Sequence, residues 1–413
     1  MHSRKPSKYI LDISKSQFGR IVVITGARQT GKTTLAKKVF PNHKYISIED
    51  PVLAEEYKQF TAGQWADAYP RAILDEVQKE PRIIESIKAV YDQHDEARYI
   101  LLGSSQILLL KKVRESLAGR SEILELFPLT LPELLTEDWD EEVKNSFFQN
   151  VVLGIENSKL PIRLEDDFVK KQKAYNHYLK FGGYPAISNE KLTDTQRYRW
   201  LRNYAKTYLE RDVRDLAELS NLEPFKKVQT LFAVNTAQLM NFSKLATEAG
   251  ISSNTAKRYL EYMNISYQII NLQAWSRNSG KRLSKSPKIH YLDVGVMRTL
   301  LQKKDALNGH EFESAIVAEI YKQVKNLNID ASFYHLRTVD GREIDLLIEF
   351  EAGYIAIEIK QSKKVRATDA RHLRNLEEIL DKPILHKFLV SNDFENRIFE
   401  DGTEAISALQ FLS

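Results

Sequence analysis

Residues 19 to 40, GRIVVITGARQTGKTTLAKKVF, constrain the fold of this chain more than any other segment. They indicate an apolar strand, a glycine-containing turn and a helix, and residues 26 to 33 fit the pattern G-x-x-x-x-G-K-T in full. Glycines let the backbone N–H groups of such a turn close around phosphate, and the following helix presents its positive end. We expect Lys32 to reach the β- and γ-phosphates of a nucleotide and the Thr33 hydroxyl to bind Mg²⁺. The alternative, a plain glycine turn, is disfavoured by the segments that follow.

A second apolar strand candidate, RAILDEVQ, ends in two acids about 40 residues later. Ligands of open α/β sheets bind at the carboxyl edge of such strands. We therefore expect Asp75 to hold Mg²⁺ through water, and Glu76 to orient or deprotonate the attacking water. The alternative is a strand end with two solvated acids.

Three further strand candidates are KYISIED, ARYILLGSSQ and SEILELFPL, which together with the first two predict a parallel sheet. The second of them ends in hydroxyl residues, so Ser104 or Ser105 is placed to contact the γ-phosphate or the attacking water. A strand-end turn without a role is an equally good reading of these serines. The residues predicted to contact the nucleotide are Gly26, Ala27, Arg28, Gln29, Thr30, Gly31, Lys32, Thr33, Thr34 and Ser104.

The motifs GARQTGKTTL, ILDEVQ, LLGSSQ and SLAGRSEILELFPLTLPEL, in this order, resemble those of the AAA-like group of P-loop ATPases. They are most similar to one bacterial and archaeal family of two-part ATPases, in which a domain of uncharacterised function follows the ATPase. The resemblance spans most of the chain and implies ATP and Mg²⁺ as cofactors. Ala27 departs from the family, where proline is expected more often. No Asn-Lys-x-Asp motif for guanine is present in the sequence, which favours ATP over GTP.

Arg120, in LAGRS, resembles the arginine that such families carry after the hydroxyl-tipped strand. An arginine that reaches the γ-phosphate stabilises the charge of the transition state. A surface salt bridge is the better-supported alternative for this residue, and Arg28 and Arg114 are rivals for the catalytic role.

Composition narrows the class of protein. A length of 413 residues suggests two to four domains, and the absence of cysteine excludes disulfides, zinc–thiolate sites and a thiol nucleophile. The sequence has neither an apolar run of about 18 residues nor the apolar centre of a signal peptide, so we expect a cytoplasmic protein without a membrane span. The net charge of +4 means that any nucleic-acid footprint must be local.

The middle of the chain contains a helix-turn-helix pattern, NFSKLATEAGISSNTAKRYLEYM. We expect Ser243 to cap a helix that closes at Gly250, and Ser252 or Ser253 to cap a second helix. A DNA-reading helix keeps its contacts on its outer face. The residues expected on that face are Asn254, Lys257 and Arg258.

Two strand candidates around a basic loop follow, in QIINLQAWSRNSGKRLSKSPKIHYLD, and they resemble the wing of a winged helix. The basic residues of this segment are Arg277, Lys281, Arg282, Lys285 and Lys288. They favour contact with nucleic-acid phosphate, with DNA as the preferred partner. A winged helix used for protein packing stays open. Upstream, residues 197–219 predict a long charged helix, for which a solvated role is favoured over nucleic-acid binding.

The last third has charged residues inside apolar strands. REIDLLIEF and YIAIEIKQS predict a hairpin that places Asp345 roughly opposite Glu358 and Lys360, since alternate residues share one face of a strand. A helix upstream carries Glu313, and a basic helix over 363–380 and a last strand are expected afterwards.

This order of Glu, Asp and Glu-x-Lys resembles the PD-(D/E)xK nuclease superfamily. The resemblance implies that Glu313, Asp345 and Glu358 bind Mg²⁺, and that Lys360 positions hydroxide or stabilises phosphate charge. The alternative is a cross-strand salt bridge on a half-exposed sheet.

The predicted fold class is α/β, with an AAA-like P-loop ATPase domain over 1–135, a helical connector over 136–225, a winged helix over 226–300 and a restriction-endonuclease-like domain over 301–413. The predicted catalytic residues are Lys32, Glu76, Arg120, Asp345, Glu358 and Lys360, and the predicted metal ligands are Thr33, Asp75, Glu313, Asp345 and Glu358. We expect an ATPase that acts on nucleic acid, with a homo-oligomer as a further possible assembly. The competing hypothesis is an ATP-gated switch or interaction protein whose carboxyl-terminal domain is catalytically inactive.

Overall fold

A computed structural model of the chain describes residues 1–103, 116–155, 167–209, 221–278, 285–338 and 340–413. Ser104, Ser105, Arg114, Lys281 and Arg282 lie outside these described residues. Within them, no helix is both long enough and apolar enough to cross a membrane.

The first unit is a parallel sheet of five strands among the described residues, in the order β2-β3-β4-β1-β5. Its strands are β1 (Ile21–Thr25), β2 (Lys44–Ser47), β3 (Arg71–Asp75), β4 (Arg98–Leu102) and β5 (Ser121–Glu125). Every residue of β1 is buried, because helices cover both faces of the sheet: Ile21 and Val23 contribute to one core, and Val22 and Ile24 to the other. A continuous apolar strand is what a two-sided parallel sheet requires.

Three of the five helices described around this sheet begin at side-chain caps. The Asp50 carboxylate accepts from the first turn of one helix, and Thr61 with Gln64 forms a capping box on the next. The helices are α1 (Ser7–Ser14), α2 (Lys32–Val39), α3 (Pro51–Tyr57), α4 (Ala62–Ala68) and α5 (Pro81–Gln93).

A helical region follows the first sheet. Its helices are α6 (Leu131–Leu134), α7 (Phe147–Val152), α8 (Phe168–Phe181), α9 (Asp194–Tyr204), a π-helical turn (Ala205–Leu209), α10 (Glu223–Val234), α11 (Phe242–Ala249) and α12 (Ser253–Ile265). The helix-turn-helix of α11 and α12 is present, and Gly250 closes the first helix in the left-handed conformation. The side-chain cap of α11 is Asn241 and not Ser243, because the Asn241 amide oxygen accepts from Lys244 N–H at 3.0 Å. Ser252 caps the second helix.

The last unit is a mixed sheet, in which eight strands are described in the order β12-β13-β11-β10-β9-β8-β6-β7. Its strands are β6 (Ile269–Ala274), β7 (Lys288–Tyr291), β8 (Ser332–Arg337), β9 (Glu343–Glu349), β10 (Tyr354–Lys360), β11 (Ile384–Ser391), β12 (Arg397–Ile398) and β13 (Glu404–Ser407). The helices are α13 (Val294–Leu300), α14 (Gly309–Asn326) and α15 (Ala408–Leu412). The predicted α/β fold class, with a parallel sheet, a helical region and a further sheet, is confirmed.

The β6–β7 hairpin belongs to this mixed sheet. Strand β6 pairs with β7 antiparallel and with β8 in parallel, through Gln273 with Tyr334 and Ala274 with His335. One sheet therefore contains strands from both sides of the domain boundary predicted at residue 300. Lys288 of the β6–β7 hairpin contacts Glu343 and Asp345 of the β9–β10 hairpin.

The prediction of one helix over residues 363–380 is wrong. This segment contains two 3-10 turns, Arg371–Leu373 and Leu376–Glu378, and Asn375 between them is left-handed with φ 51°. A left-handed residue ends a right-handed helix. Tertiary packing explains the outcome, because the apolar residues of the segment fill the core beneath the sheet: Val365, Ala370, Leu373, Leu376 and Leu380.

Candidate nucleotide site and carboxyl-terminal acidic cluster

The phosphate loop lies between β1 and α2, at the carboxyl edge of the parallel sheet. Gly26 has φ +142°, and a Cβ there would lie 2.1 Å from the Leu126 carbonyl oxygen, so the close approach of the two backbones requires glycine. Gly31 has φ +94° and precedes the first residue of α2. The loop therefore takes the strand–turn–helix form that its sequence predicts.

Lys32 is held over this loop. Its Nζ donates to the carbonyl oxygens of Gly26 at 2.8 Å and Ala27 at 2.9 Å, and the side chain is 8% exposed. The ammonium is thus placed inside the turn, where an anion that approaches the loop meets it.

Thr33 and Asp75 meet at the same edge. The Thr33 hydroxyl donates to Asp75 Oδ2 at 2.7 Å, and the Tyr45 hydroxyl donates to the same oxygen at 3.0 Å. Burial, with the charge of Asp75, raises the pKa of Tyr45 to about 12. A hydroxyl and a carboxylate side by side are the oxygen ligands that Mg²⁺ prefers, so these residues fit the ion that the sequence implies.

Glu76 follows Asp75 in a left-handed conformation with φ 56°. Its N–H donates to Asp75 Oδ1 at 3.0 Å, and Gln78 Nε2 donates to Glu76 Oε2 at 2.6 Å. Left-handed backbone costs a non-glycine residue roughly 1–2 kcal/mol and is common at functional sites. The hydrogen bond from Gln78 holds the Glu76 carboxylate, and Glu76 lines the same cavity as the phosphate loop.

One cavity of about 1840 Å³ joins these side chains. The phosphate loop, Asp75 and Glu76 line one part of it, and α8 lines another with Lys173 and His177. Ligand pockets for small molecules measure about 300–1,000 Å³, so the cavity has room for a nucleotide. Burial lowers the pKa of His177 to about 4, which keeps this wall residue neutral at physiological pH.

Arg4 is a residue at the loop that sequence reasoning missed. Its Nη1 donates to the Thr30 carbonyl oxygen at 2.8 Å, its Nη2 to the Phe127 carbonyl oxygen at 2.6 Å, and its Nε to Glu133 Oε1 at 3.1 Å. Both Arg4 and Glu133 are buried. The guanidinium therefore ties the phosphate loop to the segment that follows β5. No local pattern indicates it, because the partners lie up to 129 residues away.

Arg120 lies away from this site in its own chain. It directly precedes β5, in which Ser121 pairs with Ile21 at the start of β1 and Glu125 pairs with Thr25 next to the phosphate loop. Roughly 13 Å of strand therefore separates Arg120 from the edge of the sheet that carries the loop. Its Nε donates to Asp92 Oδ1 at 2.8 Å, and this hydrogen bond lowers the pKa of Asp92. The structure does not bring Arg120 together with Lys32 and Glu76.

The carboxyl-terminal residues do converge. The β9–β10 pairing runs from Tyr354 opposite Glu349 to Ile357 opposite Leu346, so that Glu358 and Asp345 are the next residues along their two strands. Asp345 Oδ2 accepts from the Ile359 N–H at 2.9 Å, and Lys360 Nζ donates to Glu358 Oε1 at 2.7 Å. The register predicted from the sequence is therefore correct for this pair of strands.

Lys288 lies among the acidic side chains of this unit, a contact that the sequence did not predict. We call Glu313, Glu343, Asp345 and Glu358 the carboxyl-terminal acidic cluster. Lys288 Nζ lies 3.2 Å from Glu313 Oε1, 3.3 Å from Asp345 Oδ1 and 2.6 Å from Glu343 Oε1, and its side chain is 3% exposed. The expectation that Lys288 belongs to a basic surface for phosphate is wrong, because the residue points into the carboxyl-terminal unit. Arg277 is likewise engaged there, donating to the carbonyl oxygens of Ile379 and Glu378.

The protonation of the cluster follows from burial and from these neighbours. Burial and the charge of Asp345 raise the pKa of Glu358 to about 8, and the same two causes raise the pKa of Glu313 well above its usual range. Burial raises the pKa of Glu343, but Lys288 outweighs burial and the pKa falls below its ordinary value. Burial lowers the pKa of Lys288, yet its carboxylate neighbours outweigh burial and raise it. The lysine is therefore charged.

This cluster does not fit a divalent metal. The ammonium of Lys288 stands within hydrogen-bonding distance of both Glu313 and Asp345, where the ion would have to bind. Among the described residues, no group of three or more His, Asp or Glu side chains is arranged to hold a metal ion. Glu313, Asp345 and Glu358 are thus neighbours without forming a ready metal site.

The predicted outer face of α12 is present. Asn254, Lys257 and Arg258 are exposed, while Ala256 and Leu260 pack into the core. Lys285, from the basic segment, is exposed too.

Comparisons with known proteins identify three segments. Residues 19–135 match a family described as an AAA domain, and residues 172–307 and 308–411 match two domains of unknown function, DUF8612 and DUF4143. The chain thus carries a P-loop ATPase fold in its first third, as the sequence predicted.

Related proteins are known by sequence and by structure. An uncharacterized protein of Mycobacterium tuberculosis is 26% identical over 348 residues, covering 83% of this chain and 70% of its own length. An uncharacterized protein of Methanocaldococcus jannaschii is 25% identical over 416 residues, covering 95% of this chain and 87% of its own. A Walker-type ATPase of Pyrococcus abyssi is 13% identical and covers 73% of this chain and 96% of its own, with a TM-score of 0.46.

Proposed function

We propose that this chain binds ATP with Mg²⁺ in the cavity at the edge of the parallel sheet, and hydrolyses it. The observation that supports the proposal most is the placement of Lys32, Thr33 and Asp75 side by side on that edge, with Glu76 adjacent. The AAA-domain match over the same segment agrees with it.

Each residue has one task in this proposal. The loop N–H groups and Lys32 bind the β- and γ-phosphate oxygens, and Thr33 and Asp75 hold Mg²⁺, which neutralises phosphate charge when bound. Glu76 accepts the proton of the water that attacks the γ-phosphorus, while ADP leaves with the electrons of the broken P–O bond.

A steady-state assay of phosphate release tests the proposal. Lys32→Ala should abolish hydrolysis, because it removes the charge inside the loop. Lys38→Ala, on the exposed face of the same helix, is the matched control and should leave the rate unchanged. Glu76→Gln should retain ATP binding and lose hydrolysis, and wild-type turnover by this variant would show that another group is the base.

Arg120 enters this proposal through a second copy of the chain, because it lies far from the loop of its own chain. Arg120→Ala and Lys32→Ala, each inactive alone, should regain part of the activity when mixed, since one copy keeps an intact loop and the other keeps the arginine. Full activity of Arg120→Ala alone would assign the residue to its salt bridge with Asp92.

We further propose that the helix-turn-helix binds nucleic acid, DNA in particular. Exposed Lys257 and Arg258 on α12 support this, and Lys285 adds a cation from the basic segment. The carboxyl-terminal unit has the order helix, three antiparallel strands and a parallel strand, α14-β8-β9-β10-β11, which is compatible with a nuclease-like domain. The Lys288 contacts favour the second hypothesis from the sequence, an ATP-gated switch whose nuclease-like domain is inactive.

A further inference from the structure

The ion pairs of Lys288 connect two segments that are distant in the chain. The lysine begins β7, and its partners lie on α14 (Glu313) and on β9 (Glu343 and Asp345). All four side chains converge on one point beneath the mixed sheet, although 57 residues separate Lys288 from Asp345.

The backbone holds Lys288 in this place. Every residue of β7 is buried, and Leu272 of β6 pairs with Lys288 on one side while Leu239 forms a bridge with it on the other. The Met240 N–H donates to the Pro287 carbonyl oxygen at 2.9 Å, which fixes the preceding residue as well. The ammonium is therefore part of a packed strand and not the end of a mobile surface side chain.

A metal ion and this ammonium compete for the same oxygens. Mg²⁺ binds carboxylate oxygens at about 2.0–2.1 Å and demands near-octahedral geometry. An ammonium 3.2 and 3.3 Å from Glu313 Oε1 and Asp345 Oδ1 fills the space between those two oxygens, and two cations in one buried site repel each other.

We propose that Lys288 is the built-in counter-ion of the carboxyl-terminal acidic cluster, that it takes the place of a divalent cation, and that it thereby locks the β6–β7 hairpin to the carboxyl-terminal sheet. The cluster is a cation site that the chain fills itself. The nuclease-like domain consequently cleaves nothing by metal-dependent hydrolysis. This inference does not depend on ATP hydrolysis at the phosphate loop.

The ion pairs of Lys288 add to the β6–β8 pairing that joins the hairpin to the carboxyl-terminal sheet. Arg337 Nη1 lies 4.0 Å from Glu343 Oε2, and Arg277, in the loop that joins β6 to β7, donates to carbonyl oxygens of the same unit. Two cations, Arg277 and Lys288, therefore attach the loop end of the hairpin to the carboxyl-terminal unit, and the proposal gives the acids a role in positioning the hairpin and not in catalysis.

Mn²⁺ titration of the full chain without nucleotide, followed by electron paramagnetic resonance, tests this proposal. Wild type should show no Mn²⁺ site at the cluster. Lys288→Ala should gain one, with a Kd at least tenfold below the highest Mn²⁺ concentration at which wild type shows no such site, and a second change, Asp345→Asn, should remove it. Lys360→Ala is the matched control, because it removes a cation that contacts Glu358 but does not lie between Glu313 and Asp345. It should gain nothing.

Melting temperature gives an independent readout. Lys288→Ala should melt below wild type and be restored in part by Mn²⁺, whereas wild type should be insensitive to the ion. If the alanine variant does not fold, Lys288→Gln removes the charge while keeping a hydrogen-bond donor, and the same titration applies.

Three results would overturn the proposal. They are an Mn²⁺ site in wild type that Asp345→Asn abolishes, an equal gain of Mn²⁺ in Lys288→Ala and Lys360→Ala, and no gain in either. Cleavage of DNA or RNA by wild type in Mg²⁺ or Mn²⁺ that Asp345→Asn removes would overturn it as well.

Discussion

Replacing Lys322 by methionine should destabilise the junction between the ATPase unit and the carboxyl-terminal unit. Lys322 and Glu319 are fully buried on α14, with Nζ 2.9 Å from Glu319 Oε2. Glu319 Oε1 accepts from the Leu131 N–H at 2.6 Å, and Lys322 Nζ donates to the Leu129 carbonyl oxygen at 3.3 Å. The pair therefore connects α14 to the segment that follows β5 of the parallel sheet.

The expected loss is set by the charge left behind. Glu319 Oε2 has no aligned hydrogen bond although Lys322 Nζ is close, so the interaction of that oxygen with the lysine is electrostatic. Lys322→Met leaves the carboxylate buried without its cation, while the Leu131 N–H and Gln323 Nε2 still donate to Oε1. Removing one partner of a buried ion pair costs about 3–5 kcal/mol. The double variant Glu319→Gln/Lys322→Met leaves no buried charge and should recover most of this loss.

Guanidinium denaturation followed by circular dichroism measures these differences. Lys325→Met, one turn further along the same helix and partly exposed, should cost less than about 1 kcal/mol and controls for the loss of a lysine. A loss below about 1 kcal/mol for Lys322→Met, or a double variant that is less stable than the single one, would refute the reasoning.

Three further predictions concern other parts of the molecule. Arg4→Ala should weaken ATP binding severalfold in a fluorescent-nucleotide titration, because the Thr30 carbonyl of the phosphate loop loses its tether. Stability should fall by on the order of 4 kcal/mol between pH 4.5 and pH 8 through Glu358, whose folded pKa of about 8 exceeds its unfolded value, so that the folded state binds the extra proton. Denaturation midpoints of Glu358→Gln should be flatter over this range, and parallel profiles would contradict the assignment. Lys257→Ala/Arg258→Ala should weaken DNA binding and reduce the log–log salt slope by about 0.9 per lost phosphate contact, and an unchanged slope in fluorescence anisotropy would place the outer face of α12 off the DNA.

The phosphate site could be predicted because its information is local. The glycines, Lys32 and Thr33 lie within eight residues, and Asp75 reaches Thr33 since the carboxyl ends of parallel strands meet at one edge. The pairing of Asp345 with Glu358 was predictable for the same reason, because a short turn fixes the register of a hairpin.

Long-range contacts of single cations could not be predicted. Arg4 reaches the phosphate loop only after Glu133 and Phe127 are folded around it. Lys288 reaches Asp345 only because β6 pairs with β8 in parallel, and nothing in a basic, glycine- and serine-rich segment indicates that pairing. A prediction from charge composition alone therefore placed Lys288 on a phosphate-binding surface, whereas the residue is buried among acidic side chains.

Helix α14 contributes to two buried groups of charges, the ion pairs around Lys288 and the Glu319–Lys322 pair. Glu313 near its start contacts Lys288, and Glu319 six residues later contacts the Leu131 N–H, so about 9 Å of helix axis separates the two contacts. Four residues before Leu131, the Phe127 carbonyl oxygen accepts from Arg4, and the same guanidinium donates to the Thr30 carbonyl oxygen of the phosphate loop. Hydrogen bonds through Arg4 and the segment over 127–131 thus connect the phosphate loop to α14, which also carries Glu313 of the acidic cluster. The helix-turn-helix packs in the same hydrophobic core as α14, so this one helix contacts the segment after β5, the acidic cluster and the core of the helix-turn-helix.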